Sequence, residues 1–198
     1  MKKLKEYIVP TVILFAICFV SAALLGLTNE ITKGRIAEND AAASREAMQA
    51  VMPGCEFSET KENQYGSYAI ATKNGETVGY AITATGKGGY DGDITLMVGI
   101  NADGSVATME NDKGESTAAI KFLSFDETPS VGGKLKTNLG FLMQFVGLKE
   151  KDSALLKKYN GTVDAVSGAT KTSTGISDAV NTALYCYEEI VKEGNTNG

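Results

Sequence analysis

The residues best suited to chemistry lie near the C-terminus, in the run Asp164-Ala165-Val166-Ser167-Gly168-Ala169-Thr170-Lys171-Thr172-Ser173. Their types predict a strand entering a small-residue turn that opens a helix. Such a turn aims free backbone N–H groups outward, and the helix dipole adds partial positive charge. Gly168 and Ala169 let an anionic group approach the backbone closely. Thr170, Thr172 and Ser173 supply hydroxyls, and Lys171 supplies a cation. A phosphate would be well received here. The same residues also read as an ordinary strand-to-helix turn with Thr172 or Ser173 as N-cap, and residue types alone leave both readings open.

Other chemistries are removed by composition. The 198 residues include no histidine, so no Ser-His-Asp triad, His-ligated zinc or haem, or histidyl-linked flavin can be built. Of the three cysteines, Cys18 lies in an apolar run, while Cys55 and Cys186 stand alone without CxxC spacing. Iron–sulfur ligation within the chain is therefore not expected. Cys55 and Cys186 are either two isolated thiols or, outside the cytoplasm, a disulfide. No metal site is expected. A net charge of −5 and a pI near 4.9 without a basic patch argue against nucleic acid as a partner. With 43% hydrophobic residues, the chain is globular in composition, not disordered.

The elements that must position this segment begin with a span. Ile8 to Leu27 carries no charge, and about 20 apolar residues in a helix cover the roughly 30 Å hydrocarbon layer. Pro10 falls in its first turn, where a missing N–H does least harm. A cleaved signal peptide is the alternative, with Ser21-Ala22-Ala23 as cleavage site, but signal cores usually stop at about 7–15 residues. Lys2, Lys3 and Lys5 precede the span, so the positive-inside rule puts the N-terminus in the cytoplasm and everything after Leu27 outside it.

Asn29 to Ala50 reads as a helix ended by Pro53-Gly54. Tyr68–Ala71 and Val78–Ile82 read as strands of a hairpin turning at Asn74-Gly75, where both residues tolerate positive φ. Further strands are expected over Ile94–Ile100, with a turn at Asp103-Gly104, and over Ile120–Phe125. Short helices are expected over Phe141–Phe145 and Ser153–Tyr159, and a short strand over Thr162–Val166. A final helix is expected over Thr172–Glu193, with Ile176, Val180, Ala183, Leu184, Tyr187 and Val191 as its apolar stripe.

Asp164-x-x-Ser167-Gly168-Ala169-Thr170 followed by Lys171-Thr172-Ser173 resembles the flavinylation motif of FMN-binding domains. These occur in the G subunit of Rnf electron-transport complexes and in the C subunit of the sodium-translocating NADH:quinone reductase. The resemblance extends through the N-terminal span, Met52-Pro53-Gly54 and the Gly86–Gly92 loop. It continues through Asp126-Glu127-Thr128-Pro129, Gly132-Gly133-Lys134 and Phe141-Leu142-x-x-Phe145. It implies an FMN whose phosphate is esterified to Thr170, installed by a flavin transferase that recognises the acidic position matching Asp164. Ser167, Gly168, Ala169, Lys171 and Thr172 would complete the attachment segment. Gly89 and Tyr90 of the glycine loop, with Glu127 and Thr128, would line the flavin ring. Ser130-Val131-Gly132 departs from the family's Gly-Leu-Gly pattern, and Thr108–Ala118 reads as a surface insertion.

The fold so implied is α+β: a single N-terminal transmembrane helix (1–28), a connecting helix (29–54) and one extracytoplasmic FMN-binding domain (55–198) with an antiparallel sheet and flanking helices. The implied function is that of an electron-carrier subunit of a membrane-bound, ion-translocating ferredoxin:NAD oxidoreductase. Such a chain sits in the lipid bilayer of the cell (inner) membrane beside other membrane and peripheral subunits, and has no complete activity alone. The alternatives are the quinone reductase C subunit, a free-standing flavinylated redox protein, and a cofactor-free tethered binding module.

Overall fold

The computed structural model describes residues 2–111, 113–129 and 132–196. Helix α1 (Lys2–Val51) runs unbroken through both the expected span and the expected connecting helix. Its residues up to Ala43 form one compact unit, and the chain from Ser44 onward forms a second. In the first unit every described side chain from Pro10 to Asn29 is exposed, and this is the helix long and apolar enough to cross a membrane among the described residues. The hydroxyls of Thr28 and Thr32 donate to carbonyls one turn back, at 2.8 Å each, so neither needs water. The helix stops at Val51, before Pro53 and Gly54, whose φ is +72°.

The second unit is built on an antiparallel sheet. Strands β1 (Glu56–Phe57) and β2 (Lys61–Asn63) pair with β3 (Gly66–Lys73), which pairs with β4 (Glu76–Gly86). The sheet continues through β5 (Ile94–Asn101) to β8 (Ile120–Ser124), while β6 (Thr108–Glu110) and β7 (Ser116–Ala118) form a separate hairpin. The Asn74-Gly75 turn is as expected, with φ of 55° and 83° closing the Lys73–Glu76 pair. Helix α2 (Leu139–Leu142) runs into a 3₁₀ turn at Met143–Phe145, matching the helix expected there, and α3 (Thr170–Thr196) closes the chain.

Period-2 alternation sorts the core into two layers. Ile82, Ile94, Leu96, Val98 and Ile100 face α3, where Ile176, Val180, Ala183 and Leu184 meet them. Ala69, Ala71, Ala81 and Met97 face the other way and are covered by Ala47, Met48 and Val51 at the end of α1. The sheet is thus buried on both faces.

Several expectations need correction. Ser153–Tyr159 is not a helix but a set of turns with one 3₁₀ turn at Lys157–Tyr159. Positive φ at Asp152 (62°) and Asn160 (65°) breaks helical geometry at both ends. Thr162–Val166 is not a strand; it makes one isolated parallel bridge, Val163 to Leu156. The last helix starts two residues early, at Thr170, so neither Thr172 nor Ser173 is its N-cap. The Thr108–Ala118 insertion is only partly superficial: Thr108 and Glu110 are exposed, but Thr117 and Ala118 are buried. Cys55 and Cys186 are buried free thiols belonging to opposite core layers, so they do not pair.

Candidate functional site

The site is built where three chain segments converge on the first turn of α3. The turn before that helix is closed by the Ala169 N–H donating to the Val166 carbonyl at 3.0 Å. Gly168 takes φ +80°, a conformation that a side chain would strain. Ser173 fixes the turn from inside the helix: its hydroxyl donates to the Ala169 carbonyl (2.9 Å) and accepts from the Val166 N–H (3.1 Å). Thr170 is the first helical residue, exposed, and its N–H and those of Lys171 and Thr172 come before the first helical bond, made by the Ser173 N–H to the Ala169 carbonyl at 2.8 Å.

In front of that turn lies a cavity of about 440 Å³, within the range of small-molecule and cofactor sites. Gly168, Ala169, Thr170, Lys171 and Thr172 form one wall; Tyr90 comes from the β4–β5 loop, and Glu127, Thr128 and Gly132 from the segment after β8. Glu127 is 7% exposed. One of its oxygens accepts the Tyr90 N–H at 2.6 Å and the other accepts the Thr172 hydroxyl at 2.7 Å. Alongside, the Thr128 hydroxyl donates to Asp91 at 2.9 Å. Tyr90 is 66% exposed, and the Lys171 ammonium lies 5.5 Å from its ring centre.

Two glycines permit this convergence. A Cβ on Gly132 would collide with the Thr172 hydroxyl and stand 2.6 Å from the Glu127 carboxylate. A Cβ on Gly175 would stand 3.1 Å from the backbone nitrogen of Gly89, so loop and helix touch backbone to backbone.

Of the residues singled out in the sequence, Thr170, Gly168, Ala169, Lys171, Thr172, Tyr90, Glu127 and Thr128 share the cavity. Gly89 sits just behind it, where a Cβ would lie 2.6 Å from Glu127. Ser167 is exposed and outside the wall. Asp164 is also outside: its carboxylate pairs with Lys157 at 2.6 Å, and its backbone N–H donates to Gln144 at 2.7 Å. The Thr172 hydroxyl is committed to Glu127, not held ready for a phosphate. Ser130 and Val131, where the expected pattern departs, lie outside the described residues. Sequence reading missed Asp91 and Gly175; a glycine inside a helix costs about 1 kcal/mol relative to alanine, which signals a packing need.

Residues 89–185 match the model of the FMN-binding domain, and residues 1–51 match that of the RnfG N-terminal region. The G subunit of the ion-translocating oxidoreductase complex of Methanosarcina acetivorans is 31% identical, over 92% of this chain and 94% of its own. The chain belongs to the RnfG family. Two further members are the G subunits of the Na(+)-translocating ferredoxin:NAD(+) oxidoreductase complex of Acetobacterium woodii and of the ion-translocating oxidoreductase complex of Aliivibrio fischeri. They are 27% and 28% identical, each over about 90% of both chains. As in this family, the second unit is an FMN-binding domain after an N-terminal apolar helix.

The residues present fit that cofactor. An exposed threonine opens a helix beside a cavity, glycine leaves the approach open at Gly168, where a Cβ would meet nothing within 4 Å, and a lysine stands next to it.

Proposed function

We propose that this chain is the G subunit of an Rnf-type, ion-translocating ferredoxin:NAD oxidoreductase and carries electrons through FMN esterified to Thr170. The observation that carries the reading is the placement of Thr170. It is exposed at a helix N-terminus, on the rim of a cavity whose lining falls wholly within the FMN-binding match. Bound FMN supplies one- and two-electron transfer. The chain's own part is to hold it. The first-turn N–H groups and Lys171 receive phosphate charge, and Tyr90, Thr128 and Gly132 bound the space beside it.

Asp164 serves maturation in this reading. It stands exposed on the approach to the motif, held in place through Gln144 and Lys157, where a flavin transferase can reach it. Residues 1–28 anchor the chain in the lipid bilayer of the inner membrane with the N-terminus cytoplasmic. The helix continues beyond the anchor, and the FMN-binding domain works outside the cytoplasm beside the other subunits of the complex.

The test is expression of the full chain with and without a flavin transferase, followed by denaturing electrophoresis. Transferase-dependent in-gel fluorescence, an FMN-modified peptide containing Thr170, and its loss in Thr170→Ala are expected. A dark, unmodified band with an active transferase would leave a cofactor-free tethered module as the better account.

A further inference from the structure

We infer that Glu127 is the positioning residue of the flavin cavity: its carboxylate bolts the Gly89-Tyr90 loop to the first turn of α3 and fixes a negative charge at the cavity wall that lowers the flavin's reduction potential. The inference rests on the reading that FMN occupies this cavity, and goes on to assign what the buried carboxylate does there.

The bolt is visible in its bonds. Tyr90 is 37 residues before Glu127 and Thr172 is 45 after it, and the two carboxylate oxygens take one donor from each. Gly89 and Gly132 leave the room for this: a Cβ on either would lie 2.6 Å from a carboxylate oxygen. A buried carboxylate accepting charge-assisted bonds from a backbone N–H and a hydroxyl is held more firmly than a neutral side chain would be. Each oxygen is already engaged by one donor, which fixes the orientation of the carboxylate. What it offers the cavity is position and charge.

The charge has a direction of effect. Reducing a flavin adds electrons, and a fixed anion in a site of low polarity opposes added negative charge. Glu127 is 7% exposed, so water screens it poorly. The Thr172 hydroxyl points its positive end at this carboxylate and partly offsets it.

Substitutions separate the bolt from the charge. In Glu127→Gln the amide oxygen still accepts from Tyr90 N–H, and the amide nitrogen donates to the Thr172 oxygen, whose hydroxyl rotates. The bolt survives and the charge is gone. In Thr172→Val the charge stays, while its offsetting dipole and the α3 arm of the bolt are lost together and the Tyr90 arm remains. The experiment is a redox titration of the full chain, flavinylated by the transferase, following flavin absorbance on the loaded fraction of each variant.

The midpoint should move to more positive potential in Glu127→Gln and to more negative potential in Thr172→Val, relative to the unmodified chain. An unchanged or more negative midpoint in Glu127→Gln overturns the inference, as does a folded Glu127→Gln chain that stays dark while the unmodified chain loads. Should circular dichroism show that Glu127→Gln is unfolded, the sign of the Thr172→Val shift decides, and a positive or absent shift overturns it. A dark unmodified chain is a different result: it removes the flavin reading itself.

Discussion

At the scale of single residues, the turn that carries Thr170 was legible in the sequence because its signal is local: a run of small residues opening a helix. The hydrogen bonds of Glu127 were not, because its partners Tyr90 and Thr172 are separated from it by 37 and 45 residues. The partner of the Thr172 hydroxyl was hidden for the same reason. Gly132 makes this packing testable. In Gly132→Ala the new methyl must displace the buried Thr172 hydroxyl or the Glu127 carboxylate, and such overpacking costs about 1–3 kcal/mol. A lower urea midpoint and reduced flavin loading are expected together, by denaturation monitored with circular dichroism and by in-gel fluorescence. Cys186 gives an independent check. Burial pushes its thiol up to about 11, with a hydrogen bond to Asn63 acting against that shift. The neutral thiol is thus favoured in the folded state. Its contribution to stability is flat below the ordinary thiol value of 9.0 and falls as pH rises from there toward 11. Because the thiolate is the reactive form, Cys186 should resist iodoacetamide at pH 8 in the native chain and be alkylated once it is denatured, as peptide mapping would read. Native labelling at the denatured rate would contradict the buried placement.

At the scale of elements, strands with two-residue periodicity and a defined turn were readable: the β3–β4 hairpin turns where Asn74-Gly75 requires. Segments whose structure depends on one distant contact were not. Val163 looks like part of a strand by composition, but it has a single bridge to Leu156, and no neighbour extends the pairing. Ser153–Tyr159 has helix-forming residues, yet Asn181 accepts the Asp152 N–H at 2.9 Å and the segment follows that anchor instead. Tertiary bonding overrides local propensity there. The packing of α3 on the sheet depends on close approach at Gly86. A Cβ there would run into the carbonyl of Gly175 and stand 2.9 Å from the Cα of Ala179. These are backbone atoms that cannot rotate away. Gly86→Ala should therefore push helix from strand and cost about 3 kcal/mol, the upper end of overpacking effects. A thermal melt of the detergent-solubilised chain would show it, whereas Gly75→Ala, strained but far from any neighbour, should cost less.

At the scale of the whole molecule, the charge-free run of the first helix was plain in the sequence, but where the globular unit begins was not. Helical periodicity continues through Ala43 and Ser44 without a break, because the same helix goes on while its surroundings change. The compact unit starts at Ser44, and the last turns of α1 close one face of the sheet. Ala47 and Val51 are 1% and 0% exposed, and a Cβ on Gly99 of β5 would stand 2.8 Å from the Val51 carbonyl. Removing these turns uncovers Ala69, Ala71, Ala81 and Met97. Truncating a large buried side chain alone costs about 2–5 kcal/mol, and a domain's whole stability is about 5–15 kcal/mol. A chain beginning at Ser44 should thus be soluble, melt cooperatively and keep its near-ultraviolet dichroism. One beginning at Pro53 should aggregate or lose that signal, although both contain every residue that lines the cavity in front of α3. Equal stability of the two would mean that the end of α1 belongs with the membrane anchor and contributes nothing to the fold that holds Thr170.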